Sequence, residues 1–140
     1  MIKGVILTPQ NIIPTDGGEV MHVIKSTDSE FFGFGEAYIS SIEHGCIKGW
    51  KKHTKMISNI TVPKGEVRFV LCEDKKNSPA FQEVLLSKDN YSRLTIPPNV
   101  WFAFEGKAAG TSMVLNISSI THDPEECVNK DLSLINYNWT

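Results

Sequence analysis

Gly45 to Arg68 reads GCIKGWKKHTKMISNITVPKGEVR, and its order organises the rest of the chain. A glycine-rich basic turn leads into a strand carrying Lys48, Lys51, Lys52 and one histidine, His53. A hydrophobic strand over 56–62 follows, and Pro63, Lys64 and Gly65 reverse the chain into VRFVLCED. Side chains alternate faces along a strand, so residues 49, 51 and 53 are expected on one face, with Lys51 and His53 pointing the same way. A rigid sheet that presents cations beside a titratable imidazole suits an anionic ligand. The competing interpretation makes KGWKKH a solvated edge whose lysines are surface charge.

Working outward, short strands alternate with turns. Gly4 to Thr8, Asn11 to Ile13, Glu19 to Lys25 and Phe32 to Ser41 read as strands before the central stretch, with Pro14 to Gly18 as a turn cluster. After it, Glu66 to Cys72, Phe81 to Leu86, Ser92 to Ile96, Val100 to Glu105 and Ser112 to Ile117 follow the same pattern. The residues after Pro124, with acidic side chains in a first turn, are expected to form a short helix or an irregular tail. Many short strands about ten residues apart predict one all-β domain spanning 1–140, an antiparallel sandwich or barrel.

Composition narrows the partners. With 140 residues the chain builds one substantial core, and its net charge of -2 argues against a nucleic-acid module. No apolar run reaches the length of a membrane span and MIKGVILTPQ lacks the plan of a signal peptide, so a soluble cytoplasmic protein without a membrane partner is expected. Cys46, Cys72 and Cys127 have neither paired nor metal-type spacing and read as reduced thiols. Phosphate-binding, dinucleotide and nucleophile-elbow motifs are missing.

The order GCIKGWKKH, then PKGEVRFVLCEDKKNSP, then FQEVLLSKDNYSRLTIPPNVWFAF resembles the cupin-fold sugar-nucleotide epimerases typified by dTDP-4-dehydrorhamnose 3,5-epimerase. That resemblance covers roughly residues 16 to 126. It implies a cupin-type double-stranded β-helix, a jelly-roll sandwich, closed at its edges by a partner strand in a homodimer. Placed without gaps, the family's arginine falls on Lys48, its glycine on Gly49 and its catalytic histidine on Lys51. The related 3,4-ketoisomerases have a second histidine that falls on His53, and their P-P-x-x-W pattern matches Pro97, Pro98 and Trp101. The late-strand histidine of the epimerases falls on Phe102, and their tyrosine falls around Thr121 and His122.

The implied reaction is epimerisation of a nucleotide-linked 4-keto-6-deoxy sugar, without cofactor or metal, on the way to a surface polysaccharide. Ketoisomerisation and non-catalytic binding of a sugar nucleotide are the alternatives. Enolisation needs a base for the α-proton, a cation for the enolate oxygen and an acid to return a proton. His53 is the candidate base, because an imidazole is largely neutral at pH 7. Lys48, Lys51 and Arg68 are candidate anion contacts, Arg68 alternatively pairing with Glu66 or Glu83 across strands. Tyr38 or His122 is the candidate acid, with Glu36 two residues from Tyr38 on the same face. Trp50, Trp101, Phe102 and Phe104 are residue types found more often in a core than as a ligand platform, and one of the indoles at Trp50 or Trp101 is the candidate platform for a base or sugar. A metal site is not expected, because Lys51 and Phe102 stand where ligands would be needed.

Overall fold

The computed structural model describes residues 2–75 and 77–140. Two antiparallel sheets face each other. The first runs β1 (Ile6–Pro9), β9 (Ser92–Ile96), β6 (Ser58–Lys64), β11 (Thr111–Ser118) and β4 (Glu36–Glu43). The second runs β12 (Cys127–Asn129), β5 (Ile47–His53), β10 (Trp101–Gly106), β7 (Glu66–Glu73) and β8 (Ala80–Ser87). A hairpin of β2 (Ile12–Thr15) and β3 (Gly18–Met21) turns on Asp16 and Gly17. The result is the all-β jelly-roll sandwich that the sequence led us to expect.

Between the sheets lie Ile60, Val62, Val67, Phe69, Leu71, Leu94, Ile96 and Val114. β7 is buried on both faces, which explains why VRFVLC is almost continuously apolar. Its other face meets a second cluster, Trp50, Val70, Cys72, Trp101 and Ala103, roofed by Leu132, Ile135, Tyr137 and Trp139 from the C-terminal tail. Of the two forms expected here, a short helix or a tail, the structure takes the second. The tail forms β12, one 3-10 turn over Leu132–Leu134 and then an extended segment. The reason is periodic: Ile135, Tyr137 and Trp139 are half-buried while Asn136, Asn138 and Thr140 are exposed, an alternation that fits extended chain and no helix.

Two other boundaries moved. The strand expected through Lys25 ends at Met21, because the next residues cross the outer face of the first sheet and cover Arg93. This arginine is fully buried and bonds Val23 O at 2.7 Å, Glu30 at 2.7 Å and Asp28 at 3.2 Å. The strand expected from Phe32 starts at Glu36, leaving Phe32 and Phe34 exposed before it. Pro63 sits where β6 slips register against β11, the kind of position at which a missing ladder N–H is tolerated.

The thiols are not joined: Cys46 is exposed, Cys127 half-buried and Cys72 buried. Burial pushes the Cys72 thiol up to about 11, with Asp74 adding to the shift. Among the described residues no helix is long and apolar enough to cross a membrane.

Candidate active site

A cavity of about 230 Å³ opens between the sheets, lined by residues of both. On the first sheet Ile60, Asn116 and Tyr38 stand side by side, since Asn116 pairs with Ile60 on β6 and Tyr38 on β4. On the second sheet Phe102 pairs with Lys51, and Phe104 pairs with both Lys48 and Phe69. The floor is therefore aromatic, with two ammonium groups on one wall and a phenol on the other. Apolar surroundings strengthen the pull of those ammonium groups on an incoming anion.

The two lysines share the cavity because β5 does not alternate regularly. Lys51 faces Phe102 and Lys48 faces Phe104, so Gly49 and Trp50 together oppose the single residue Ala103. This β-bulge places Gly49 on the outward side with Trp50, which is wholly buried under the tail, and brings Lys48 to the cavity side with Lys51. The simple period of two predicted Lys51 inward but had no place for Lys48. Lys48 Nζ also donates to Ser41 O on β4, spanning from one sheet to the other.

His53 lies at the end of β5, buried, with its ring stacked on Phe102 at a centroid distance of 6.1 Å. Phe102 lines the cavity, so the imidazole stands one ring behind the wall. Its Nδ1 is bonded to Glu126 Oε1, and its Nε2 is buried without a partner. Glu126 Oε2 accepts from the backbone N–H groups of Lys55 and Met56, each at 3.1 Å. Burial pushes the Glu126 carboxyl up, but the hydrogen bonds from His53, Met56 and Lys55 outweigh it and hold the group below its ordinary value. Such a carboxylate fixes the imidazole tautomer and turns Nε2 toward the interior.

Tyr38 is held on the opposite wall. Asn116 Nδ2 donates to its hydroxyl at 2.8 Å, leaving the phenolic O–H free to donate. Asn116 was not among the residues expected from the sequence, although its signal was present. In SMVLNIS the inward phase runs Ser112, Val114, Asn116, Ser118, and a polar side chain at a buried strand position needs a partner, which a neighbouring functional group can supply. Glu126 was missed because PEEC reads as the first turn of a helix.

The remaining candidates lie elsewhere. Arg68 takes the second of its two readings, cross-strand pairing: it is on the outer face of β7, bonded to Glu83 at 3.2 Å, Glu105 at 2.6 Å and Trp139 O. Trp50 and Trp101, candidate platforms but more often core as residue types, are core: both are buried in the cluster beneath the tail, and Lys52 and Lys130 lie over the Trp101 ring. Alternation along β5 and β10 turns both indoles away from the cavity. Glu36 is half-buried at the start of β4, outside the lining, and His122 is exposed in the loop before β12. Tyr38, Lys48 and Lys51 are thus brought together, with His53 adjacent.

Among solved structures, the chain is similar to a dTDP sugar isomerase from Desulfovibrio desulfuricans G20, with 31% identity and a TM-score of 0.92 over 98% of this chain and 91% of that one. It also resembles a dTDP-4-dehydrorhamnose 3,5-epimerase from Sulfolobus tokodaii, at 23% identity and TM-score 0.81 over 96% and 81% of the two chains. A third similar structure is a sugar 3,4-ketoisomerase from Thermoanaerobacterium thermosaccharolyticum in complex with TDP, at 20% identity and TM-score 0.74 over 93% and 90%. The last two likenesses concern the fold. No family model and no curated protein matches the sequence.

Proposed function

Since this chain belongs to the family of the dTDP-sugar isomerases, we propose that it enolises a dTDP-linked 4-keto-6-deoxy sugar and epimerises a carbon beside the ketone. The observation that carries this is the pair of opposed walls, Lys48 and Lys51 on β5 against Tyr38 and Asn116 on β4 and β11. Epimerisation removes a proton from one face of a carbon and returns one to the other, so it needs proton-handling groups on both sides of the sugar. His53, whose buried Nε2 has no partner in the structure, is the base for the α-proton, with Glu126 balancing the imidazolium. The Lys51 ammonium holds the enolate oxygen, as a preorganised charge at the developing anion. Tyr38 then gives its proton to the opposite face, and solvent exchange restores tyrosine and histidine. Lys48 faces the diphosphate.

The features His53, Pro97, Pro98 and Trp101 that fit the ketoisomerase pattern favour a second outcome, in which the same enediol is reprotonated at the neighbouring carbon and the ketone moves from C4 to C3. Product analysis separates the two.

The working enzyme is a homodimer in this proposal, supported by the exposed apolar residues Phe32, Phe34, Ile39 and Met113 on and beside the β4–β11 edge of the first sheet. Three unpaired thiols suit a reducing cytoplasm, and the sugar is destined for a surface polysaccharide.

The test is solvent exchange in D2O with dTDP-4-keto-6-deoxyglucose, followed by NMR at C3 and C5. Exchange in the wild type that disappears in His53→Asn and Lys51→Met supports the assignment. Binding of dTDP without exchange at any carbon makes the protein a binding module instead.

A further inference from the structure

The lysines are aimed by a bulge, and the bulge is braced from outside the cavity. Gly49 lines the cavity with its backbone, while the direction its side chain would take runs outward into the tail. A methyl group built there would come within 2.8 Å of Leu132 Cγ and 2.9 Å of Leu132 Cδ2, closer than carbon atoms pack. Leu132 therefore occupies the space that a side chain at 49 would fill.

The backbone that carries Leu132 is anchored on both sides. Two residues before it, Lys130 N–H donates to Trp50 O at 2.9 Å, tying the tail to the bulged residue itself. Just before that, β12 pairs residue by residue with the edge of β5, Val128 with Lys52 and Asn129 with Lys51. Asp131 Oδ1 accepts from Ser133 N at 3.0 Å and fixes the 3-10 turn that presents Leu132. Beyond it, Arg68 donates to Trp139 O and holds the far end down.

We infer that Leu132 and Gly49 are a positioning pair: the C-terminal tail, seated where residue 49 lacks a side chain, holds β5 in the bulge that turns both Lys48 and Lys51 into the cavity. Filling position 49 makes tail and strand compete for one space, and the strand's answer is to shift the residues on either side, which are the two lysines. The inference rests on the reading that these lysines receive the anionic part of a dTDP-sugar.

The experiment is calorimetric titration with dTDP, beside a thermal melt, on Gly49→Ala, Leu132→Phe and Gly49→Ala/Leu132→Ala. Gly49→Ala is expected to weaken binding about tenfold or more, because misplacing a binding group by about 1 Å is costly. Leu132→Phe, which presses on an intact Gly49 from a half-buried tail position, is expected to do the same and keeps the test alive if Gly49→Ala does not fold. The double variant is expected to bind more tightly than Gly49→Ala alone, since the crowding atoms are gone. Lys48→Ala and Lys51→Ala are titrated in parallel. If neither lysine matters for dTDP, the site reading falls and takes the inference with it. If the lysines matter but Gly49→Ala and Leu132→Phe bind as the wild type does, or the double variant gains nothing, the positioning role alone is overturned.

Discussion

The Glu126 carboxylate closes on His53 Nδ1 from across the chain, so the residue just before β12 also holds the imidazole at the end of β5. Its side chain is 2% exposed, and its other oxygen takes two backbone N–H groups. Hydrogen bonds to a charged group are worth about 2 kcal/mol each. Glu126→Gln keeps the shape and removes the charge, so it should be less stable than the wild type at neutral pH.

The pH dependence has a definite sign. Glu126 sits below its ordinary value of 4.5 in the folded protein, so below that pH the unfolded chain binds more protons. The wild type gains stability from this group above about pH 4.5 and loses it as the pH falls through the folded value. Thermal melts from pH 7 down to pH 3 should show the gap between wild type and Glu126→Gln closing at the acid end. A gap that stays constant would mean the carboxylate is not held as described.

Asn116 should act on turnover through Tyr38. Asn116→Leu removes the donor to the phenol, and a lost hydrogen bond of about 1.4 kcal/mol corresponds to a tenfold fall in kcat. In a Tyr38→Phe background the same change should cost almost nothing further. An equal loss in both backgrounds would show that Asn116 works independently of the phenol.

Arg93 is a structural charge. Its guanidinium is entirely buried between Asp28 and Glu30, and breaking such a network by removing one partner costs about 3–5 kcal/mol. Arg93→Ala should lower the urea midpoint accordingly. Hydrogen exchange should localise the loosening to residues 22–31, which cover it.

Gly65 stands at the reversal between β6 and β7 with φ +87, and a methyl group there would meet Ser112 Oγ at 2.1 Å. That hydroxyl in turn accepts from Glu66 N at 3.1 Å. Gly65→Ala is expected to destabilise by about 2 kcal/mol or more, from left-handed strain and the displaced serine together. Chemical denaturation checks it.

Ile39 is 63% exposed on the outer face of β4, diagonal to Met113 across the β4–β11 pairing. If a second copy covers this face, Ile39→Glu should convert the dimer to a monomer in sedimentation velocity without unfolding it. A wild type that sediments as a monomer at every concentration would remove the dimer from the proposal.

Most of the strands and the turns between them were legible because local chemistry writes them directly: alternation and β-branching make strands, and Gly, Pro, Asn and Asp make turns. Ser92 to Ile96 matches β9 to the residue. Lys51, Tyr38 and Lys48 were also legible as cavity candidates, by position on strands and by family resemblance. What the sequence could not decide was direction. A bulge of one residue in β5 turns Lys48 in, and nothing in KGWKKH announces it, because it depends on how β10 pairs. Arg68, Trp50 and Trp101 went to the outer face for a related reason: the tail roofs that face, so large side chains could be buried on either side of the second sheet. The Glu126–His53 contact and the seat of Leu132 on Gly49 join residues far apart in sequence. Only tertiary packing brings such pairs together, since their approach depends on every strand between them taking its place.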